Sequence, residues 1–467
     1  VLSGQKIVDR GQIVDNYTFN VLKSLERYQE ERQKSTAERV ALAVGQLFYA
    51  TLMVLMLFGY FKQFRSDYLD SPRTVALVMS LGLVFPIITY SMMEHAFMSV
   101  YVIPYCILPI FIRIFMDSRT AFSTHIIMLL TCAVALKHPF EFLVTETLAG
   151  LVAIYSLRQL NQRSDLLRAA IAVTAASLGA YLCLDIMGGN MAGTDGLDKW
   201  TYIYLTIAGI LSMISYLLLI PVERIFGFTS NVTLVELSNI NRPLLKRLSE
   251  TCPGTFQHSL QVMNMCDAAA RAIDANVLLV RAGALYHDIG KMKNPLCFIE
   301  NESMSPGGIH YHENLSPKES ARAIIRHVAD GLDLAAEYGL PDVIREFILT
   351  HHGTSNTSFF YNKYLNEGGD PSDVADFFYP GRRPWTKEQT ILMICDTLEA
   401  ASRTLKDNSA ATFSAFVENI VAAKMKIGQF DDSEISIKEL NTVKETLKAY
   451  LSQIYHERVI YPNRKNN

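Results

Sequence analysis

The sequence predicts an all-α chain: a seven-transmembrane helical bundle followed by a second, all-helical domain. Three observations lead there. The 467 residues are 50% hydrophobic with a mean hydropathy of +0.16, richer in apolar residues than most soluble chains. The excess is concentrated in the first half, in stretches of membrane-spanning length. Beyond residue 222, apolar residues recur at helical spacing in segments punctuated by Gly, Pro and Asn, with few alternating runs.

Residues 1–38 read as the remnant of an extracellular domain and its stem. Val1 stands where an initiator Met would, and no signal peptide or earlier hydrophobic span is present to carry Val1 to Ser35 across a membrane. Gly4-Gln5-Lys6-Ile7-Val8-Asp9-Arg10-Gly11 has the pattern of a turn-bounded strand, and Glu26 to Lys34 that of a charged stem. A short extracellular tail is the competing reading.

Residues 39–224 carry the spans. Val40 to Phe61 and Thr74 to Met93 are free of charge, and each is long enough to cross a hydrocarbon core of roughly 30 Å. Five more apolar stretches follow: Ala96 to Ile112, Thr120 to Leu136, Pro139 to Leu157, Leu166 to Met187 and Trp200 to Val222. Alternate loops hold Lys62, Arg65, Arg73, Arg113, Arg119, Arg158, Arg163, Arg168 and Arg224 on one side, against Lys137 and Lys199 on the other. Cytoplasmic loops are enriched in Lys and Arg, so the crowded side is expected inside, the N-terminus outside, and everything past Val222 in the cytoplasm. Glu141, Arg168 and Asp185 fall near predicted span ends, where interfacial placement is the simpler reading. Glu146 lies deeper, as a polar contact within the bundle or a ligand or signalling site. Pro86, Pro104, Pro109 and Pro221 are expected to kink spans or mark their ends.

Several function classes drop out. The cysteines at 106, 132, 183, 252, 266, 297 and 395 show no paired spacing, so neither a disulfide framework nor a zinc knuckle is expected. A net charge of −3, with no Gly-rich loop leading into Lys-Ser/Thr, argues against a nucleic-acid polymer as partner and against a phosphate-binding loop.

Residues 225–252 read as a linker helix, with Ser230 to Leu248 kinked or restarted at Pro243, and residues 253–467 as the second domain. Within it stand His258, the pair His287-Asp288, His327, the pair His351-His352, and Asp396. All seven are imidazoles or carboxylates, donors that suit divalent transition metals, and they suffice for two ions. Two adjacent metals sharing a carboxylate form a recurrent device for hydrolysing phosphate esters. Local signals place each residue on a helix. His258 falls early in Phe256 to Ile273, and His287-Asp288 ends Leu278 to Ile289 before Gly290. Neighbours on a helix point about 100° apart, so His287 can face one metal while Asp288 lies between two. Ser316-Pro317-Lys318-Glu319 is a capping box with Pro at the first position, and its helix carries His327 about three turns in. Pro341 opens the helix that delivers His351 and His352, with Gly353 to release it; Thr386 with Gln389 caps the helix of Asp396. A single His is more often a surface or satisfied core residue, and a His-His pair can cap a helix C-terminus. The joint pattern outweighs this, since five of the eleven histidines fall at these positions.

Tyr286-His287-Asp288-Ile289-Gly290-Lys291-Met292-Lys293, followed by Phe298-Ile299-Glu300-Asn301, resembles the core motif of the HD-domain metal-dependent phosphohydrolases. Pro253-Gly254-Thr255-Phe256-Gln257-His258-Ser259, His351-His352-Gly353-Thr354 and Phe378-Tyr379-Pro380-Gly381 narrow the likeness. With seven preceding spans they resemble the bacterial seven-transmembrane HD-domain phosphodiesterase family. The related HD-GYP enzymes carry Gly-Tyr-Pro after the His pair, and this chain has none. The resemblance implies a multi-pass protein of the bacterial inner membrane whose cytoplasmic HD domain hydrolyses cyclic di-AMP to linear pApA. It assigns His258, His287, Asp288 and Asp396 to one divalent metal and Asp288, His327, His351 and His352 to the other, with Asp288 as the bridge. Iron or manganese suits this mixed N/O set, with zinc also open. Lys291 is expected to touch a phosphate oxygen and offset developing charge, against the alternative of a solvated Lys; Thr354 is expected to donate a hydrogen bond to substrate. His310 and His312 read as a solvated loop, with a lid or proton donor as the alternative. Tyr311, Phe359, Phe360 and Tyr361 divide between stacking on adenine and core packing. The expected partners are cyclic di-AMP, the lipid bilayer, an unidentified extracellular ligand and a second copy of the chain. A membrane receptor that binds nucleotide without turnover, and an HD hydrolase of another nucleotide, are the competing functions.

Overall fold

The computed structural model describes residues 6–9, 11–33, 36–95, 98–157, 163–187, 199–304, 310–403, 405, 407 and 409–454. Parts of the expected N-terminal strand (Gly4, Gln5, Arg10), the loop residue Arg158, the Arg163 side chain and residues 305–309 of the His310 loop lie outside the described residues. Among the described residues every regular element is helical, with one isolated bridge between Asn356 and Phe378, and Lys6–Asp9 joins no strand. The chain divides into two compact units, one drawn from Val1–Arg158 and Leu166–Leu218, the other from Gln159–Asp165 and Leu219–Asn467.

The first unit holds α1 (Asn16–Gln33), α2 (Thr36–Phe64), α3 (Ser66–Leu69), α4 (Pro72–His95), α5 (Ile107–Phe115), α6 (Ser118–Ala133), α7 (Pro139–Ser156), all but the first turn of α8 (Arg163–Met187), α9 (Lys199–Ser212) and the start of α10 (Ile214–Phe226). Each of the seven apolar stretches contributes a helix, but the expectation of seven full spans is not met. Among the described residues three helices are long and apolar enough to cross a membrane, Val40–Phe64, Pro72–His95 and Asp165–Met187, and a fourth span arises only if the bent pair α9 and α10 counts as one. The shortfall has local causes. The stretch from Ala96 is divided between a 3-10 turn at Val100–Val102 and the nine-residue α5, which rises only about 13 Å. α6 has 16 residues, and α9 and α10 diverge by 42° at Met213, away from Pro221, which lies inside α10 as Pro86 lies inside α4.

Several polar groups in this unit are tied internally, as low-dielectric surroundings favour. Thr89 Oγ1 and Tyr105 OH share a hydrogen bond of 2.7 Å, and the buried Asp185 accepts from Tyr202 at 2.9 Å near the end of α8. Glu146 is buried on α7, and the ring of His125 bonds its backbone carbonyl at 2.9 Å. All seven cysteines are free.

The second unit begins with the end of α10 and continues through α11 (Asn231–Leu237), α12 (Pro243–Thr251), α13 (Pro253–Ala272), α14 (Val277–Tyr286), α15 (Pro317–Glu337), α16 (Asp342–Thr350), α17 (Ser358–Asn366), α18 (Lys387–Ser402), α19 (Ala410–Lys426) and α20 (Ile437–Ile454). The helix does restart at Pro243, yet α11 and α12 are not a free connector. Leu237, Leu245 and Leu248 are fully buried with Leu285, Ile344 and Ile348 in one core. A second core joins Val262, Val280, Ile391, Leu392, Val417 and Leu447. Each such side chain contributes about 1.5–3 kcal/mol of apolar burial, which makes the helices a rigid frame for whatever they carry at their ends.

Candidate metal centre

The seven singled-out donors converge. His258, His287, Asp288 and Asp396 form one group whose ligand atoms all lie within 4.8 Å of one another, and His327, His351 and His352 form a second. Asp288 faces both. Its Oδ2 lies 3.3 Å from His287 Nε2 and 3.6 Å from His258 Nε2, while its Oδ1 lies 3.5 Å from His327 Nε2 and 3.6 Å from His351 Nε2.

Local backbone structure aims the rings. His287 is the C-cap of α14 and His351 the C-cap of α16, whereas His327 sits inside α15, opened by the expected Ser316–Glu319 capping box. All three place Nδ1 on the carbonyl three residues earlier: His287 on Ala284 at 2.7 Å, His327 on Ile324 at 2.7 Å and His351 on Ile348 at 2.8 Å. A carbonyl only accepts, so each Nδ1 carries the proton and each Nε2 points inward as a potential ligand. His258, early in α13, is held through Nδ1 by Glu399, with its Nε2 3.0 Å from Asp396 Oδ1. His352 is the most open of the set: its Nδ1 lies 3.9 Å from Asp396 Oδ2, and its ring stacks on Tyr379 at 4.3 Å.

Two glycines make the convergence possible. A Cβ on Gly290 would stand 1.9 Å from the His327 carbonyl oxygen, so only glycine lets the 3-10 turn after Asp288 press against α15. Gly353 has φ +56°, a left-handed conformation that turns the chain after the His pair.

The electrostatics call for positive charge. Burial alone would raise Asp288 and Asp396; Lys291 and His287 for the former, and hydrogen bonds from His258 and His287 for the latter, hold both well below the usual carboxylate range. Burial opposes charge on His287, but the Asp288 and Asp396 carboxylates outweigh it and raise that ring to about 10. Burial pushes His327 down to about 3. His287 Nε2 and both Asp288 oxygens are buried without a well-directed hydrogen bond, although Lys291 Nζ approaches Asp288 Oδ2 at 2.7 Å. His327 Nε2 and His351 Nε2 face each other at 3.1 Å. With both Nδ1 atoms protonated, two lone pairs meet there, an arrangement that a cation between them relieves. The donor set and its orphaned atoms therefore fit divalent cations.

Lys291 is more deeply engaged than a phosphate contact requires, pairing with Asp288 and with Glu300 Oε1 at 2.8 Å. Thr354 is clamped by Gln429, whose side chain accepts from the Thr354 amide at 3.1 Å and donates to its hydroxyl at 3.0 Å. The remaining candidates are placed elsewhere. His310 is exposed, His312 Nε2 bonds the Cys297 carbonyl at 2.9 Å, and Tyr311 OH accepts from Asn294 at 2.8 Å. Phe360 and Tyr361 pack with Phe377, while Phe359 is exposed. Glu399 and Gln429 were not singled out from the sequence. Glu399 had a signal, since it follows Asp396 by three residues on one helix face; Gln429 had none.

A family model described as a 7TM receptor with intracellular HD hydrolase matches residues 40–230, and the HD domain model matches residues 255–401. A relative from Listeria monocytogenes, named cyclic-di-AMP phosphodiesterase PgpH, is 31% identical over 473 residues, covering 100% of this chain and 64% of its own length. One of the same name from Bacillus subtilis is 30% identical, covering 99% of this chain and 65% of its own. The chain thus spans somewhat less than two thirds of these relatives. The solved L. monocytogenes PgpH HD domain in complex with cyclic-di-AMP is 38% identical, covers 47% of this chain and 100% of its own, and has a TM-score of 0.43. With both matched regions in order along it, the chain resembles the family of 7TM receptors with an intracellular HD hydrolase.

Proposed function

We propose that this chain is a membrane-bound, metal-dependent phosphodiesterase that hydrolyses cyclic di-AMP to linear pApA. The observation that carries the reading is Asp288, whose two oxygens face two separate histidine groups. His258, His287, Asp288 and Asp396 would hold one divalent cation, and Asp288, His327, His351 and His352 the other. The His-rich N/O set favours iron or manganese. When bound, such a pair lowers the pKa of water and neutralises charge on the phosphoryl group. Hydrolysis adds one water across one P–O bond, leaving a 5′-phosphate and a 3′-hydroxyl. Lys291, paired with Asp288 and Glu300, would offset negative charge developing at the centre. Thr354, whose hydroxyl oxygen already accepts from Gln429, keeps its own hydrogen for a substrate oxygen. The relatives' names support the substrate.

On this reading residues 1–38 lie outside, where an unidentified ligand acts, residues 39–224 form the inner-membrane region, residues 225–252 a connecting element and residues 253–467 the cytoplasmic HD domain. The basic loops support an outside N-terminus. A second copy of the chain is the candidate protein partner.

The test uses the full chain in detergent, metal-free and then supplied with Mn²⁺ or anaerobic Fe²⁺, against a panel of cyclic dinucleotides resolved by chromatography. Cyclic di-AMP is expected to yield pApA, and Asp288→Asn to abolish turnover without unfolding the protein. Full activity in that variant sinks the site assignment; binding of cyclic di-AMP without consumption makes the protein a receptor.

A further inference from the structure

A second cleft opens in the same unit, lined by Thr354, Arg382, Arg383, Trp385 and Asp432. It begins two residues past His352, within about 8 Å of that ligand at 3.8 Å per residue. Its composition differs from that of the metal centre: two guanidinium groups, one half-exposed indole and one carboxylate, with no imidazole.

We propose that this cleft holds the nucleotide that is not being cleaved, with Trp385 stacking on its purine, Arg382 and Arg383 taking its phosphate, and Asp432 accepting from an exocyclic amine. The inference rests on the cyclic-dinucleotide reading above. Such a substrate carries two phosphates and two bases, and the cation centre engages one phosphate. The other half needs positive charge and an aromatic surface nearby, and this cleft provides both.

Three features make it a built site. The first is a fixed platform. Trp385 donates its backbone N–H to Gln389 Oε1 at 3.1 Å and accepts from the Glu434 amide at 3.1 Å, so the backbone is pinned on both sides while the ring stays 42% exposed. Aromatic stacking tolerates any base and gains from a platform that loses little freedom on binding. The second is spare positive charge. Arg382 reaches Glu346 only at 3.5 Å, and Arg383 reaches Asp431 only at 3.5 Å, which leaves most N–H groups of both forks for an anion. The third is close abutment on the catalytic turn. A Cβ on Gly381 would stand 2.5 Å from the Leu349 carbonyl and 2.6 Å from that of Gly353, so glycine lets the arginine segment lie directly against the turn that follows the His pair.

The test keeps the full chain in detergent and separates the cleft from the cation centre by substrate. Bis(p-nitrophenyl) phosphate has one phosphate and no purine, so its Mn²⁺-dependent hydrolysis reports the centre alone. Trp385→Ala and the double variant Arg382→Ala/Arg383→Ala are expected to raise KM for cyclic di-AMP about tenfold or more, leaving hydrolysis of the small ester unchanged. Trp385→Phe retains stacking and should retain KM. A second readout needs no turnover. The chain has only two tryptophans, Trp200 and Trp385, so cyclic di-AMP added with chelator should quench fluorescence in the wild type but not in Trp385→Phe. Unchanged KM in the alanine variants, or no quench in the wild type, overturns the inference. Absent hydrolysis of both substrates by the wild type strikes the hydrolase reading instead, and the quench still decides whether the cleft binds nucleotide.

Discussion

Glu399 offers the sharpest test of how the centre is held together. Its carboxylate accepts from His258 Nδ1 and is steadied by Arg403, whose Nη2 lies 2.7 Å from Oε1. This fixes which ring nitrogen of His258 turns toward Asp396 at 3.0 Å and Asp288 at 3.6 Å. Removing such an outer partner typically costs about 10–100-fold in metal affinity or activity, or about 1.4–2.7 kcal/mol. Glu399→Ala should fall in that range, because His258 is buried and among the described residues Glu399 holds its Nδ1. Glu399→Gln, which keeps an acceptor without the charge, should lose less. The assay titrates Mn²⁺ into metal-free full chain and follows thermal unfolding, since a ligand of the folded state stabilises by RT ln(1 + [L]/Kd). The metal concentration needed for a given stabilisation should rise by the stated factor, with turnover largely restored at high metal. An unchanged metal requirement for a given stabilisation in Glu399→Ala would refute the reasoning, because His258 would then not be a ligand oriented through Glu399.

Two further outcomes follow from the same geometry. Gly290→Ala forces a Cβ to 1.9 Å from one backbone atom and 2.5 Å from another, the Gly331 nitrogen, neither of which can swing aside; overpacking should cost about 1–3 kcal/mol or more, read as a lower unfolding midpoint without added metal. His287, raised to about 10, is protonated in the metal-free fold at neutral pH, and a ligand ring must be neutral. Its folded value lies above the usual 6.5, so the stabilisation that its charge gives the metal-free fold is full below that pH and fades as pH rises through about 10. Metal uptake at pH 7 should accordingly expel a proton, and affinity should climb about tenfold per pH unit until the ring has titrated. Calorimetric titration in buffers of different ionisation heat measures this; no proton release at pH 7 would contradict it.

What could be read from the chain was set by the range of the interactions involved. The seven donors sit beside local signals such as the Ser316 capping box and Gly353, so their helices could be placed before their meeting was seen. Glu399 meets His258 across 141 positions and Gln429 meets Thr354 across 75, and no local pattern records such pairs. Thr386 shows an intermediate case: it accepts from the Gln389 amide as a capping box requires, but Gln389 reaches past it to the Trp385 amide. In the first unit, hydropathy located every apolar helix but overstated its length, since average polarity does not register a 3-10 turn at Val100–Val102 or a 42° bend at Met213.

The donors and the helix ends are the same residues, and this has a physical consequence. α14 and α16 both terminate at the centre, and a helix C-terminus carries unsatisfied carbonyls and about half a negative charge. His287 and His351 answer both demands at once. Each ring donates Nδ1–H to a carbonyl of its own last turn, and each turns Nε2 toward the space where a cation would balance the dipoles and the Asp288 charge. The caps of the fold are therefore completed by the ligands of the chemistry. Replacing either ring with an apolar residue removes a cap and a donor together, whereas Glu399→Ala loosens one donor and leaves both caps in place. The two kinds of variant should separate in the metal-free protein: the former lose stability there, and the latter lose it only relative to the metal-loaded wild type.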